Sequence, residues 1–201
     1  ISVTAAGSVP RTKALTRAGA KVGDRVVVSG TVGAAALALE SLTQSEIPSR
    51  QDHGYLLACL DRPSPRVELG ILLRDVASAS IDISDGLMAD LGQLLHASGE
   101  VGATIETTAL PLSEASRKFS TAKRVAAALT GGDDYELCLT VPVDKLQRLT
   151  AVSQQCGIPL TEIGCVTRGN SIKLQQAGVD VASPAVVGYE HDWLVDVRKP
   201  A

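Results

Sequence analysis

The chain has 201 residues, 45% of them hydrophobic and 20% charged, with a formal net charge of −3. That length suits one sizeable domain, or one domain with a piece of another. The acidic balance argues against a protein held to nucleic acid by backbone electrostatics, and the absence of an apolar run of spanning length argues against a membrane partner.

Taken in chain order, residues 1–7 (ISVTAAG) alternate like a strand. An opening at Ile1 in the middle of such a pattern reads as a cut within a larger protein. Residues 8–24 form a glycine-containing basic connector that carries Arg11, Lys13, Arg17 and Lys21. RVVVSG is a short apolar strand, and the alanine-rich TVGAAALALESL is a helix. A second helix runs through HGYLLACLDR and stops at RPSPR, where two prolines forbid continuation. In VELGILLRDVA, helical spacing places Leu69, Leu72, Leu73 and Val76 on one face.

A strand over residues 79–84 follows, and then a helix in GLMADLGQLLHASG. Its core stripe is Leu87, Leu91, Leu94 and Leu95, and Gly99 is its stop. GATIETT is a strand, SEASRKFSTAKRVAAALTGG holds one or two helices, YELCLTVP is a strand and VDKLQRLTAVSQQCG a helix. LTEIGCVT and SIKLQQ read as a strand pair, and the tail carries GYEHDW. Strands and helices interleave without a regular βαβ rhythm, which predicts an α+β or layered α/β domain with a mixed sheet. Cys59, Cys138, Cys156 and Cys165 are widely spaced with no C-x-x-C pair, so they are expected as small buried side chains in a reducing compartment.

The chemistry concentrates in SIDISDGLMADLG. On an extended strand Asp82 and Ser84 share a face, and Asp85 lies at the turn into the helix. Helix capping by Ser84 or Asp85 is one reading. It leaves Asp82 unexplained, since a carboxylate buried between Ile81 and Ile83 would need a cation or several donors. The other reading is a set of hard oxygen ligands for Mg²⁺, shared with substrate phosphates. Spacing alone leaves both open.

LTGGDDYELCLT offers a second acidic turn, in which Gly131 and Gly132 free the backbone ahead of Asp133 and Asp134; by itself it also fits a solvated turn. VVVSGTVGAA has the order of a dinucleotide loop but lacks the G-x-G-x-x-G spacing and a following acid, so it reads as a tight strand-to-helix connection. The basic connector reaches a phosphate only if it folds back over the site. His53 and His96 fall in helices, and nothing resembles a nucleophile triad or a zinc site.

Taken together, GAKVGDRVVVSGTVG, RPSPRVELG, SIDISDGLMADLG, LTGGDDYEL and GYEHDW resemble, in order, the thiamine-monophosphate kinases of the aminoimidazole ribonucleotide synthetase-like superfamily. The resemblance runs from about Ile1 to Trp193. It implies a two-domain enzyme whose N-terminal domain holds most metal ligands and forms a homodimer, and whose C-terminal domain is a three-layer α/β/α unit closing over the site. Residues 1–22 would then be the last strand of the missing domain plus connector, and 23–201 the C-terminal domain.

The implied reaction is ATP-dependent phosphorylation of thiamine monophosphate to thiamine diphosphate in the cytoplasm, by direct in-line transfer with Mg²⁺ and no catalytic base. Residue by residue, the resemblance implies that Asp82 and Asp85 bind Mg²⁺, Arg17 and Ser84 contact ATP, and Asp133 and Tyr189 contact the substrate. The family usually has Glu where this chain has Asp133, which reaches about 1.5 Å less far and implies a bridging water. The alternatives are a sister enzyme of the selenophosphate or aminoimidazole ribonucleotide synthetase type, or a module that is inactive alone.

Overall fold

A computed structural model describes residues 4, 6–43, 49–99 and 101–184. Its seven strands are β1 (Arg25–Ser29), β2 (Ala79–Asp82), β3 (Val101–Glu106), β4 (Leu137–Val141), β5 (Leu160–Arg168), β6 (Ile172–Gln176) and β7 (Val179–Val181). They form one mixed sheet in the order β2-β4-β1-β5-β3-β6-β7. β3 and β6 run parallel, and the remaining pairs antiparallel.

Helices cover both faces. On one side α4 (Leu87–Ala97) and α5 (Thr121–Thr130) pack against the sheet, burying Leu87, Leu91, Leu94 and Leu95 against Val26, Val28, Ile81 and Ile105. On the other, α3 (Val67–Leu72) and α6 (Leu146–Cys156) bury Leu69, Leu149 and Val152 against Val27, Leu139 and Val141. α1 (Ala34–Thr43) and α2 (Arg50–Asp61) close a third, smaller core around Leu37, Leu56 and Phe119. A sheet covered on both sides needs continuous apolar strands rather than alternating ones, and Val26, Val27 and Val28 are all fully buried. The expected three-layer arrangement is the one observed.

Local chemistry sets the helix ends. Ser49 caps α2 by accepting from the Asp52 N–H at 3.2 Å, and Ser120 caps α5 by accepting from Lys123 at 3.3 Å. Gly157, at φ 66°, ends α6 in the left-handed conformation.

Three expectations change. β6 does not pair with β5, because β1 and β3 already occupy both edges of β5; β6 adds to the far side of β3 instead. β2 stops at Asp82, at the edge of the sheet, so Asp82 is exposed rather than buried. The four cysteines are free, but only Cys138 is fully buried. The expected strand over 1–7 lies largely outside the described residues, as does GYEHDW. Among the described residues no helix is long and apolar enough to cross a membrane.

Candidate active site

The turn from β2 into α4 is built by a residue that sequence reasoning passed over. Asp90 is buried one helical turn into α4, and its Oδ2 accepts from the backbone N–H groups of Ser84 (2.9 Å), Asp85 (3.0 Å) and Gly86 (3.2 Å). Burial raises the Asp90 pKa while these three bonds oppose the rise. Gly86 sits at φ 118°, where a Cβ would also meet the Thr130 backbone.

Capping by Ser84 or Asp85 is therefore not what occurs: the N-cap of α4 is Gly86 and it has no side-chain cap bond. Asp90 reaches back to hold the amides. The Asp82 and Asp85 carboxylates are left exposed, with no hydrogen bond or ion pair to a described residue. The signal for Asp90 was available, as a carboxylate four residues after a turn glycine lies one helical turn above that turn's amides.

The GGDDYE loop lies alongside this turn. Ile83 N–H donates to the Glu136 carbonyl (2.8 Å), Tyr135 N–H to Ile83 (2.8 Å) and Asp133 N–H to Ser84 (2.9 Å). The two glycines are needed here: a Cβ on Gly132 would overlap the Ser84 carbonyl, and one on Gly131 would overlap Ala36. Asp133 and Tyr135 adopt left-handed backbone at φ 67° and 50°, a conformation non-glycine residues adopt sparingly and often at functional sites. Asp133 is exposed, and its Oδ1 accepts from the Tyr135 hydroxyl at 3.2 Å. Burial raises the Tyr135 pKa, and the charges of Asp133, Asp82 and Asp85 act in the same direction.

The next two acids of the loop do different work. Asp134 accepts from Gly33 N–H at 2.7 Å and Ala35 N–H at 3.5 Å, holding the first turn of α1; burial pushes its pKa up to about 7. Glu136 is buried and accepts from Ser29 Oγ at 2.5 Å. It also accepts from Arg66, through Nε at 2.7 Å and Nη2 at 2.5 Å, as a two-pronged pair.

The connector does fold back. Thr16 accepts from Ser80 N–H at 2.9 Å along the free edge of β2, Leu15 packs into the second core, and Lys13 pairs with Asp75. A cleft of about 620 Å³ results, lined by Arg17 and Asp82 among others. The structure thus brings Arg17 and Asp82 to one cleft, and Ser84, Asp85 and Asp133 to the adjoining turn. Tyr189 lies outside the described residues. Among the described residues, no three His, Cys, Asp or Glu side chains gather around a single point as a complete metal site.

Comparison with known proteins bears directly on this arrangement. The family model for the AIR synthase related protein, C-terminal domain, matches residues 21–176. The chain is 44% identical over 163 residues to the thiamine-monophosphate kinase of Escherichia coli K12, covering 80% of this chain and 50% of that protein. It is 33% identical over 197 residues to that of Caulobacter vibrioides, covering 95% and 54%. The chain therefore spans about half the length of the curated relatives it matches.

Among solved structures, the thiamine-monophosphate kinase of Stenotrophomonas maltophilia K279a aligns with a TM-score of 0.78 at 38% identity, covering 86% of this chain and 56% of that one. The structure described as AaThiL complexed with AMPPCP and TMP aligns at 0.71 and 32% identity, covering 88% and 54%. The Escherichia coli hydrogenase maturation protein HypE, at 21% identity and a TM-score of 0.67, shares the fold. With the family model covering more than three quarters of its residues and the layered sheet in place, this chain belongs to the AIR synthase related family, as its C-terminal domain.

Proposed function

We propose that this chain is the C-terminal part of a thiamine-monophosphate kinase, which transfers the γ-phosphoryl group of ATP in line onto thiamine monophosphate to give thiamine diphosphate. The observation that carries the reading is the backbone joining of the two acidic loops through Ile83, Ser84, Asp133, Tyr135 and Glu136. It sets exposed, unpaired carboxylates beside a cleft that also receives Arg17, in a chain 44% identical to a relative of that name.

The acceptor is a phosphate monoester with a second pKa of about 6, so it is mostly dianionic at neutral pH and needs no general base. The barrier is repulsion between two polyanions, which positioning and charge compensation must offset. Asp82 and Asp85 fit a Mg²⁺ site: both are exposed and unpaired among described residues, and magnesium is commonly held by one or two carboxylates plus substrate phosphates. Bound there, the ion would supply compensation for the phosphate charge. Ser84 and Arg17 would contact ATP, and Asp133 the thiamine monophosphate, through water where its shorter side chain falls short. Tyr189 would pack on the thiamine moiety.

In this reading residues 1–22 belong to the end of an N-terminal domain and its connector, 23–201 form the C-terminal domain, and the whole enzyme is a cytoplasmic homodimer joined through the N-terminal domain. The test is an assay of the full-length enzyme with thiamine monophosphate and magnesium ATP. Formation of thiamine diphosphate is expected, together with no turnover from the present 201 residues alone. Failure of the full-length enzyme to phosphorylate thiamine monophosphate would reject the assignment.

A further inference from the structure

The cleft beside Asp82 holds more positive charge than the two residues so far placed in it account for. Its lining includes Arg66 and Arg74 as well as Arg17, with Asp82 as the one acid among the described residues. Even with the Glu136 carboxylate behind Arg66 counted beside Asp82, three guanidinium groups against two carboxylates reverse, locally, the sign of a chain whose formal net charge is −3. The three come from separate elements: the connector, the loop that ends at α3, and the 3₁₀ turn Leu73–Asp75.

Arg66 is held in place before any ligand arrives. Pro63 and Pro65 stiffen its loop, and Glu136 grips Nε and Nη2 in a two-pronged bond that is itself fixed by Ser29. The remaining guanidinium donors have no bond to a described residue, and Arg66 also lines the small cavity it shares with Asp82 and Tyr135. Arg74 is half-buried and forms no ion pair with a described residue. Beside the arginines, Val67 and Ile71, one helical turn apart on α3, expose apolar side chains, and both line the same cleft. At about 620 Å³ the space is of ligand size.

We propose that Arg66 and Arg74 bind the phosphate chain of a nucleoside triphosphate in this cleft, Arg66 as a preorganised fork and Arg74 as a second donor with no ion pair of its own. This rests on the kinase reading for the identity of the ligand, and adds two phosphate-binding residues to it. A guanidinium suits the task because its planar donors match phosphate oxygens in pairs.

Calorimetric titration of the present chain with magnesium ATP and with inorganic tripolyphosphate, at millimolar ligand, tests it. Arg74→Gln is expected to weaken both ligands about tenfold, the effect of removing one charged hydrogen-bonding partner. Arg66→Lys keeps a cation beside Glu136 while losing the fork, and is expected to weaken both to a similar extent. Arg168→Gln, at the exposed end of β5 and outside the cleft, is expected to change nothing. Unaltered affinity in both cleft variants, equal loss in the Arg168 control, or no binding of either ligand to the wild-type chain would overturn the inference. Arginine-dependent binding alongside a full-length enzyme that leaves thiamine monophosphate untouched would keep the inference and remove the substrate assignment. Unaltered binding alongside active enzyme would do the reverse.

Discussion

Two sets of acids on the same pair of joined loops and the helix that follows are treated in opposite ways by the fold. Glu136 and Asp90 are 5% and 4% exposed, and each is held by donors from the protein: Glu136 by Arg66 and Ser29, Asp90 by three amides on Oδ2. Asp82 and Asp85 are exposed and have no partner among described residues. The chemistry of the side chain is the same in both sets; what differs is whether the protein itself supplies the donors. Acids whose donors come from the protein act as scaffold, and acids left without them are available to something that arrives from outside.

The sharpest way to break that division is to remove a scaffold acid. Glu136→Ala strands Arg66 in a half-buried site, and breaking such a pair costs about 3 kcal/mol, the lower end of the range for buried pairs because Arg66 keeps some solvent. Denaturant unfolding should show this loss, whereas Asp82→Asn should stay within about 0.5 kcal/mol of wild type, as surface changes usually do. A small effect of Glu136→Ala would mean that the pair is incidental.

The second effect is pH-dependent. The Asp134 pKa is raised to about 7 by burial, against about 3.9 for an unperturbed Asp. Between those values the folded state retains a proton that the unfolded state has released, so Asp134 makes stability fall as pH rises, by at most about 1.4 kcal/mol per pH unit. Asp134→Asn, which can still accept from Gly33 N–H, should flatten the profile between roughly pH 4 and 7. An unchanged slope would contradict the burial argument. The smallest effect concerns Asp133. Asp133→Glu restores about 1.5 Å of reach and should lower the KM for thiamine monophosphate a few-fold with kcat unchanged; a change confined to the KM for ATP would place Asp133 at the wrong ligand.

The same division explains what was legible in the sequence. The leucine stripe of α4 and the valines of β1 announce themselves because local periodicity and burial coincide, and the layered fold follows. SDG and GGDDYE could be picked out as acid-bearing turns because glycine marks where the backbone must bend. Edge position is another matter: β2 follows α3 in the chain but pairs with β4, nearly sixty residues later, and no local pattern encodes that. For the same reason Asp82 was read as buried. Glu136 falls within the strand expected over YELCLTVP, yet it sits before β4 and its partner Arg66 comes from a distant loop. Long-range pairing decides which acids are scaffold, and it became readable only in three dimensions.

The central claim is that Asp82 and Asp85 are free because a metal-bound phosphate chain completes them. Its most direct test is turnover of the full-length enzyme carrying Asp82→Asn or Asp85→Asn, with the unfolding midpoint measured on the same samples. Each variant should lose at least about a hundredfold in kcat, the scale of removing charge stabilisation from a transition state, while unfolding at the wild-type midpoint. Near-normal turnover in both variants at an unchanged midpoint would contradict the account.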